Sequence, residues 1–495
     1  MPRTARRAVL FAVCLLPLAL LACWPSEQEP DPVEPLPPRS NVVLITVDTL
    51  RADHLSSYGY PRATTPSIDR LAAEGVRFDQ AVTQWPKTTP SFTSMFTATY
   101  SKDNQNVRRV GIPLSCRFEM LAEVLQRQGY GTHAVVANGA VGSELNFDQG
   151  FDTFIETWKL QHASQAVDPN NAEAVTRLAI GVLDHIDRKR PFFLWVHYLD
   201  PHWPYTPPAP WSDRFQNDAQ FDAATRIPIA KGKKVQEMNG IGEGQAEAGH
   251  DQLGFYVARY DAEIAYTDEQ IGKLLAALKA KGLLDKTLTA FTADHGESLG
   301  DHGYYFDHGR FSFDSCLRVP LILHYPGVLA PRVDREPAEL IDLAPTLIEA
   351  TGLPLANGAW MQGRTLTPRL RGLESGAKDP IYAYSEAGYE LNNHWLKVVR
   401  DRRFKLVFAE MLRDQRWIGG EGVKFVLYDL LNDPGETKNV ADRFPEDLER
   451  LKRALWKWEK APHFEVMTEP PSEECKDQRQ MDPKTVELLH SLGYL

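Results

Sequence analysis

The stretch Asn41-Val42-Val43-Leu44-Ile45-Thr46-Val47-Asp48 decides the fold. Its uncharged, β-branched run is too apolar for a half-solvated strand and too short for an ordinary helix. It reads as a strand buried on both faces of a parallel sheet. The run stops at Asp48, a carboxylate placed where the strand ends. In doubly wound sheets ligands sit at the carboxyl ends of strands, so the residues after each strand are where chemistry is sought.

Working outward, strands are predicted over Thr132 to Ala137, Pro191 to His197, Thr287 to Thr292 and Val319 to Tyr325. Helices are predicted over Ser67 to Gly75, Glu119 to Gln128, Asn171 to Arg188, Gln252 to Lys281 and Glu336 to Ala350. That alternation gives the α/β class: a mostly parallel sheet with helices on both faces. Beyond residue 375 the pattern turns to short strands, Ile381 to Ser385, Trp395 to Arg400, Phe404 to Phe408 and Phe425 to Leu430, then a helix over Glu446 to Lys460. The body therefore divides into a larger α/β domain, 41–375, and a small C-terminal α+β subdomain with an antiparallel sheet, 376–495. Residues 203–250, rich in Pro, Asp, Gly and Gln and without a period, read as a long excursion near the site.

The N-terminus reads as a targeting segment. Arg3, Arg6 and Arg7 precede an apolar run from Ala8 to Ala22, too short to span a bilayer comfortably and suited to a secretory signal. Residues 24–40, rich in Pro and acidic residues, form an extended, solvated linker. The chain carries 55 Lys+Arg against 66 Asp+Glu, a net charge of −11, which argues against a nucleic-acid partner. Five cysteines are too few for a disulfide scaffold, and Cys116, Cys316 and Cys475 read as structural or free.

Three strand ends deliver carboxylates and imidazoles: Asp48; Asp294-His295; and His197 followed by Asp200-Pro201-His202. Oxygen and nitrogen ligands at that density suit a divalent cation. In Thr88-Thr89-Pro90-Ser91, Pro90 and Ser91 are placed to start a helix running to about Thr99. A hydroxyl at such an end has free N–H groups and a positive dipole beside it, which favours an anionic substrate. On local sequence alone, a plain Thr/Ser-rich cap explains the same residues.

The run Val43 to Leu55 resembles the opening of sulfatase-like hydrolases of the alkaline phosphatase superfamily. So do Thr65 to Ala72, Phe147 to Asp152, His197 to Tyr205, Thr292-Ala293-Asp294-His295-Gly296-Glu297, Gly300-Asp301-His302-Gly303, Arg318 to Leu321, Asp342 to Leu347, Leu427 to Leu430 and Asp433 to Glu436. The similarity runs in order from residue 41 to the C-terminal Leu492-Gly493-Tyr494-Leu495. It implies Asp48, Thr88, Asp294 and His295 at metal-ligand positions and Thr88 as nucleophile. It implies His202 and His308 as anion-binding residues that protonate the leaving group, and His197, His302 and Lys102 as substrate contacts. It implies a divalent cation (Ca, Mn or Zn) and an anionic ester substrate, whether glycan, lipid or small molecule. Leu20-Leu21-Ala22-Cys23 resembles a lipobox, which implies an exported protein held in the bacterial cell envelope through a lipid on Cys23; a plain signal peptide is the alternative.

The sequence departs from the sulfatase pattern at the nucleophile. Typical members carry Cys or Ser followed by x-Pro-x-Arg and mature the first residue to formylglycine; here the stretch is Thr88-Thr89-Pro90-Ser91-Phe92, and the second Asp of the usual pair is Thr49. A formylglycine hydrate releases sulfate by elimination, an exit that a Thr ester lacks. A Thr phosphoester is hydrolysed by in-line attack at phosphorus. The expected activity is therefore a metal-dependent ester hydrolase with phosphoester or phosphotransfer chemistry preferred over sulfate. A catalytically inactive, lipid-tethered protein binding an anionic glycan or lipid, and a true sulfatase with an unusual centre, are the alternatives.

Overall fold

The computed structural model describes residues 37–104, 113–160, 170–232, 240–353, 361–373, 380–389, 394–411, 423–461 and 481–492. The signal segment, most of the linker, Cys475 and the last three residues lie outside the described residues. The central sheet is built from β1 (Asn41–Val47), β2 (Val76–Val82), β3 (Gly131–Val136), β4 (Thr153–Glu156), β5 (Phe192–Tyr198), β6 (Thr287–Ala293), β7 (Arg318–His324) and β8 (Arg332–Glu339). Its eight strands lie in the order β8-β2-β7-β6-β1-β5-β3-β4. All run parallel except β7, which is antiparallel to both of its neighbours. The apolar run of β1 thus occupies the middle of the sheet, and Val42 to Ile45 are wholly buried.

Seven helices matter here: α1 (Pro66–Glu74), α2 (Thr88–Thr97), α3 (Leu121–Arg127), α4 (Ala172–His185), α5 (Leu253–Ala280), α6 (Leu343–Ala350) and α7 (Pro445–Glu459). α5 packs on both α1 and α4, and α2 packs with α3 and α6. These two groups cover the two faces of the sheet. A four-stranded antiparallel sheet, β9 (Ala383–Tyr389), β10 (His394–Arg400), β11 (Phe404–Met411) and β12 (Phe425–Asp429), carries α7.

Most predicted elements stand within a residue or two of their expected ends. β9 ends at Tyr389 rather than Ser385, β11 at Met411 rather than Phe408, and α4 at His185 rather than Arg188. The largest departure lies before α6. Residues 336–339 belong to β8 rather than to a helix, and the helix begins only at Leu343. β8 is an edge strand, where charged residues are tolerated; its register slips between Asp334 and Pro337, which accommodates the proline. The helix carrying Thr88 also starts earlier than expected, at Thr88 rather than Pro90. Pro90 sits in its first turn, where backbone N–H groups have no intrahelical partner to lose. Cys116 is disulfide-bonded, and Cys316 is a buried free thiol.

The second sheet joins the first at the end of β8. Glu339 accepts hydrogen bonds from the Tyr384 amide at 2.9 Å and the Tyr100 hydroxyl at 3.0 Å, and Ser385 Oγ donates to the Thr83 carbonyl at 2.5 Å. Burial, with the Asp342 carboxylate beside it, pushes Glu339 up to about 8. The unfolded chain releases this proton near 4.5, whereas the folded one keeps it, so folding stability falls as pH rises between those values. Glu339→Gln is expected to flatten that slope: melting temperatures measured from pH 5 to pH 8 should fall less for the variant than for the parent.

Candidate active site

The strand register brings the site together. Val47 pairs with Ala293 in β6 and with Tyr198 in β5, and His197 pairs with Val136 in β3. Asp48 and Asp294 are the next residues on two adjacent parallel strands, so they emerge side by side. His197 belongs to the last β5–β3 pair, His295 follows Asp294, and Asn138 follows β3. The N-terminus of α2 is pinned over these ends by two hydroxyls: Ser91 donates to the Asp294 carbonyl at 2.7 Å, and Thr89 donates to the Ala140 carbonyl at 2.6 Å. Thr88 is thereby held 3.2 Å from His295 Nε2.

Asp48, Asp294 and His295 are fully buried, with one ligand atom each within 4.8 Å of the others. His295 Nδ1 donates to the Gly296 carbonyl at 2.9 Å, which leaves the Nε2 lone pair facing both carboxylates, the tautomer a metal ligand needs. Asp294 Oδ1 accepts from the amides of Thr49 and His295, while Oδ2 has no hydrogen-bond partner. Asp48 Oδ2 accepts from Asn138 Nδ2 at 2.5 Å, and its Oδ1 is also without one. Buried carboxylate oxygens without donors are costly, and two of them beside an imidazole lone pair fit a divalent cation. The electrostatics agree. Burial and the Asp48 charge push Asp294 well above the usual carboxylate range. Burial would raise Asp48 too, but His197, His202 and His295 outweigh it and hold it down to about 2.

The remaining predicted residues separate into two sets. His197, His202 and His308 join the centre. His197 Nε2 lies 3.4 Å from Asp48, with Nδ1 against the Thr46 hydroxyl. The His308 ring lies 4.2 Å from that of His295 and 5.5 Å from that of His202. His202 Nδ1 donates to the Trp203 carbonyl at 2.7 Å, so Nε2 is its other functional atom. Lys102 and His302 are placed elsewhere. Lys102 pairs with Asp103 at 2.9 Å and lies over the Trp458 ring of α7. His302 stacks on Phe313 at 3.7 Å and lines a separate cavity of about 660 Å³, with Arg51, Arg318 and Arg400, between the two sheets. Phe92 is fully buried against Phe96, Trp195 and His197. Trp203 stacks on Phe306 and packs against Tyr205, so the aromatics after His202 build a packed wall.

Sequence reasoning missed Asn138, Glu297 and Lys87. Glu297 is fully buried 3.2 Å from His308 Nδ1 and fixes that ring; burial pushes its carboxyl up. Asn138 follows a strand end as Asp48 does, a signal that was available; Lys87 has only its place before Thr88 to mark it.

Comparison with known proteins gives the class. Residues 40–353 match the family described as Sulfatase, and residues 300–460 match that described as N-sulphoglucosamine sulphohydrolase, C-terminal. The chain belongs to the sulfatase family and is a sulfuric/phosphoric ester hydrolase of that fold. It is 25% identical over 481 residues to an arylsulfatase of Clostridium perfringens, covering 85% of this chain and 94% of the relative. It is 25% identical over 507 residues to an N-acetylglucosamine-6-O-sulfatase of Bacteroides thetaiotaomicron, covering 86% of each. Its structure is similar to that of the phosphonate monoester hydrolase of Agrobacterium radiobacter, with a TM-score of 0.64 and 25% identity, covering 85% of this chain and 95% of that one.

The adjacent carboxylates predict opposite effects of one substitution. Asp294→Asn should raise the melting temperature of the metal-free protein by relieving a buried like-charge pair. It should also weaken Mn²⁺ binding, read by calorimetry, by more than the roughly 10–100-fold typical of losing an outer-shell partner. A lower metal-free melting temperature would contradict this account of the pair.

Proposed function

We propose that this chain is a metal-dependent phosphoester hydrolase with Thr88 as nucleophile. One observation carries the reading: the group at the helix N-terminus, 3.2 Å from His295 Nε2 and beside Asp294, is a threonine hydroxyl. A threonine cannot become the aldehyde hydrate from which sulfate is eliminated, because oxidation of its secondary alcohol gives a ketone. Asp48, Asp294 and His295, with Thr88 Oγ, would hold the cation. When bound, it supplies Lewis acidity that lowers the hydroxyl pKa and offsets charge on the transferring group. An imidazole among the ligands favours Mn²⁺ or Zn²⁺ over Ca²⁺.

In the reaction, Thr88 Oγ gives up its proton to solvent, from which the acid histidine is afterwards reprotonated, and bonds to phosphorus as the bond to the leaving oxygen breaks. The leaving oxygen takes a proton from His202 Nε2 or from His308. The free N–H groups of the first turn of α2 face the same anion. Water then attacks phosphorus, the Oγ–phosphorus bond breaks, phosphate leaves and Thr88 regains its proton. The similarity to a phosphonate monoester hydrolase supports phosphorus chemistry on this scaffold. The similarity to an arylsulfatase and an N-acetylglucosamine-6-O-sulfatase supports sulfate as the second reading. The paired orphan oxygens weigh against a metal-free binding protein. The N-terminal segment completes the proposal: an exported protein tethered through a lipid on Cys23, a reading that fails if Cys23→Ala leaves membrane association unchanged.

Thr88→Ala should lower aryl phosphate turnover by ~10³-fold or more with Mn²⁺ still bound, whereas Thr88→Ser should retain a measurable rate. Acid quench of the parent during turnover should leave a phosphoryl group on the peptide containing Thr88. Aryl sulfate turnover without phosphate turnover would overturn the preference for phosphorus.

A further inference from the structure

α2, which holds Thr88, carries no charged side chain of its own. The structure supplies a fixed positive charge from the residue before the nucleophile. Lys87 is the N-cap of α2, in extended conformation, one residue from Thr88. Its alkyl chain lies flat across Gly309, in the turn between His308 and Arg310. A Cβ at Gly309 would stand 2.7 Å from Lys87 Cε, 2.9 Å from Cγ and 3.0 Å from Cδ. That glycine has a φ of +92°, and its carbonyl accepts from the Gly388 amide at 2.9 Å, which ties the turn to β9. The turn is thus built to receive the lysine. The Lys87 charge reaches the His295 and His308 rings and the half-buried Asp307 carboxylate.

We infer that Lys87 binds the non-bridging oxygens of the substrate's phosphoryl group beside Thr88. Lys87 is in this account a substrate-binding residue that acts on KM and on the transferring charge. The cation stays with Asp48, Asp294 and His295. The inference rests on the phosphoester reading of Thr88, and its test is separated from that reading by using a protein in which Thr88 is already absent.

The probe is inorganic phosphate, titrated by calorimetry into Mn²⁺-loaded Thr88→Ala protein and the same protein carrying Lys87→Met or Lys87→Arg. Losing a hydrogen bond to a charged group is expected to weaken phosphate roughly 10- to 100-fold in Lys87→Met. Lys87→Arg should restore most of that loss, with Mn²⁺ affinity equal in all three. Equal phosphate affinity in Lys87→Met would overturn the inference whatever Thr88 does. A parallel loss of Mn²⁺ would also overturn it, by assigning Lys87 to the integrity of the centre. In the Thr88-intact enzyme, Lys87→Gln should raise KM for aryl phosphate; an unchanged KM contradicts the inference.

Discussion

Two buried carboxylates, Asp48 and Asp294, stand side by side with an orphan oxygen each. Everything else at the site is arranged around that cost. The adjacency is not a loop accident: it follows from the parallel register of β1 and β6, in which Val47 and Ala293 are partners. A sheet that pairs these strands must expel both acids at the same edge. The surrounding groups then temper the charge. His197 and Asn138 face Asp48, while two amides and the Thr88 hydroxyl serve Asp294.

The fold was legible because β1 and its neighbours are apolar runs closed by turn residues, and because α1, α3, α5 and α6 each end within two residues of a glycine. Helical or strand period alone failed at β8. There a charged, proline-containing segment is held as a strand by pairing with β2 and by the Asp334–Arg369 ion pair, neither visible locally. β2 and β4 escaped notice for a related reason: β2 alternates in burial and β4 is only partly buried, so neither has a long apolar run.

At the site, residues directly after strands were readable, and Asp48, Asp294 and His295 are where that logic put them. Residues carried over by resemblance fared unevenly. His202 and His308 reach the centre through their turns. Lys102 is spent on Asp103 and Trp458, and His302 lines a cavity behind Arg51. Lys87 could not have been singled out, because its importance depends on a distant glycine, Gly309, whose missing side chain lets the lysine lie across the turn.

The central claim is that one centre, formed by Asp48, Asp294, His295 and Thr88, holds both the cation and the reacting hydroxyl. The most direct test is a crystal structure of the Mn²⁺-loaded protein with anomalous data at the manganese edge. The account predicts one strong peak bonded to Asp48, Asp294 and His295, with Thr88 Oγ against it. A peak at another cluster, or one from which Thr88 is turned away, would contradict it.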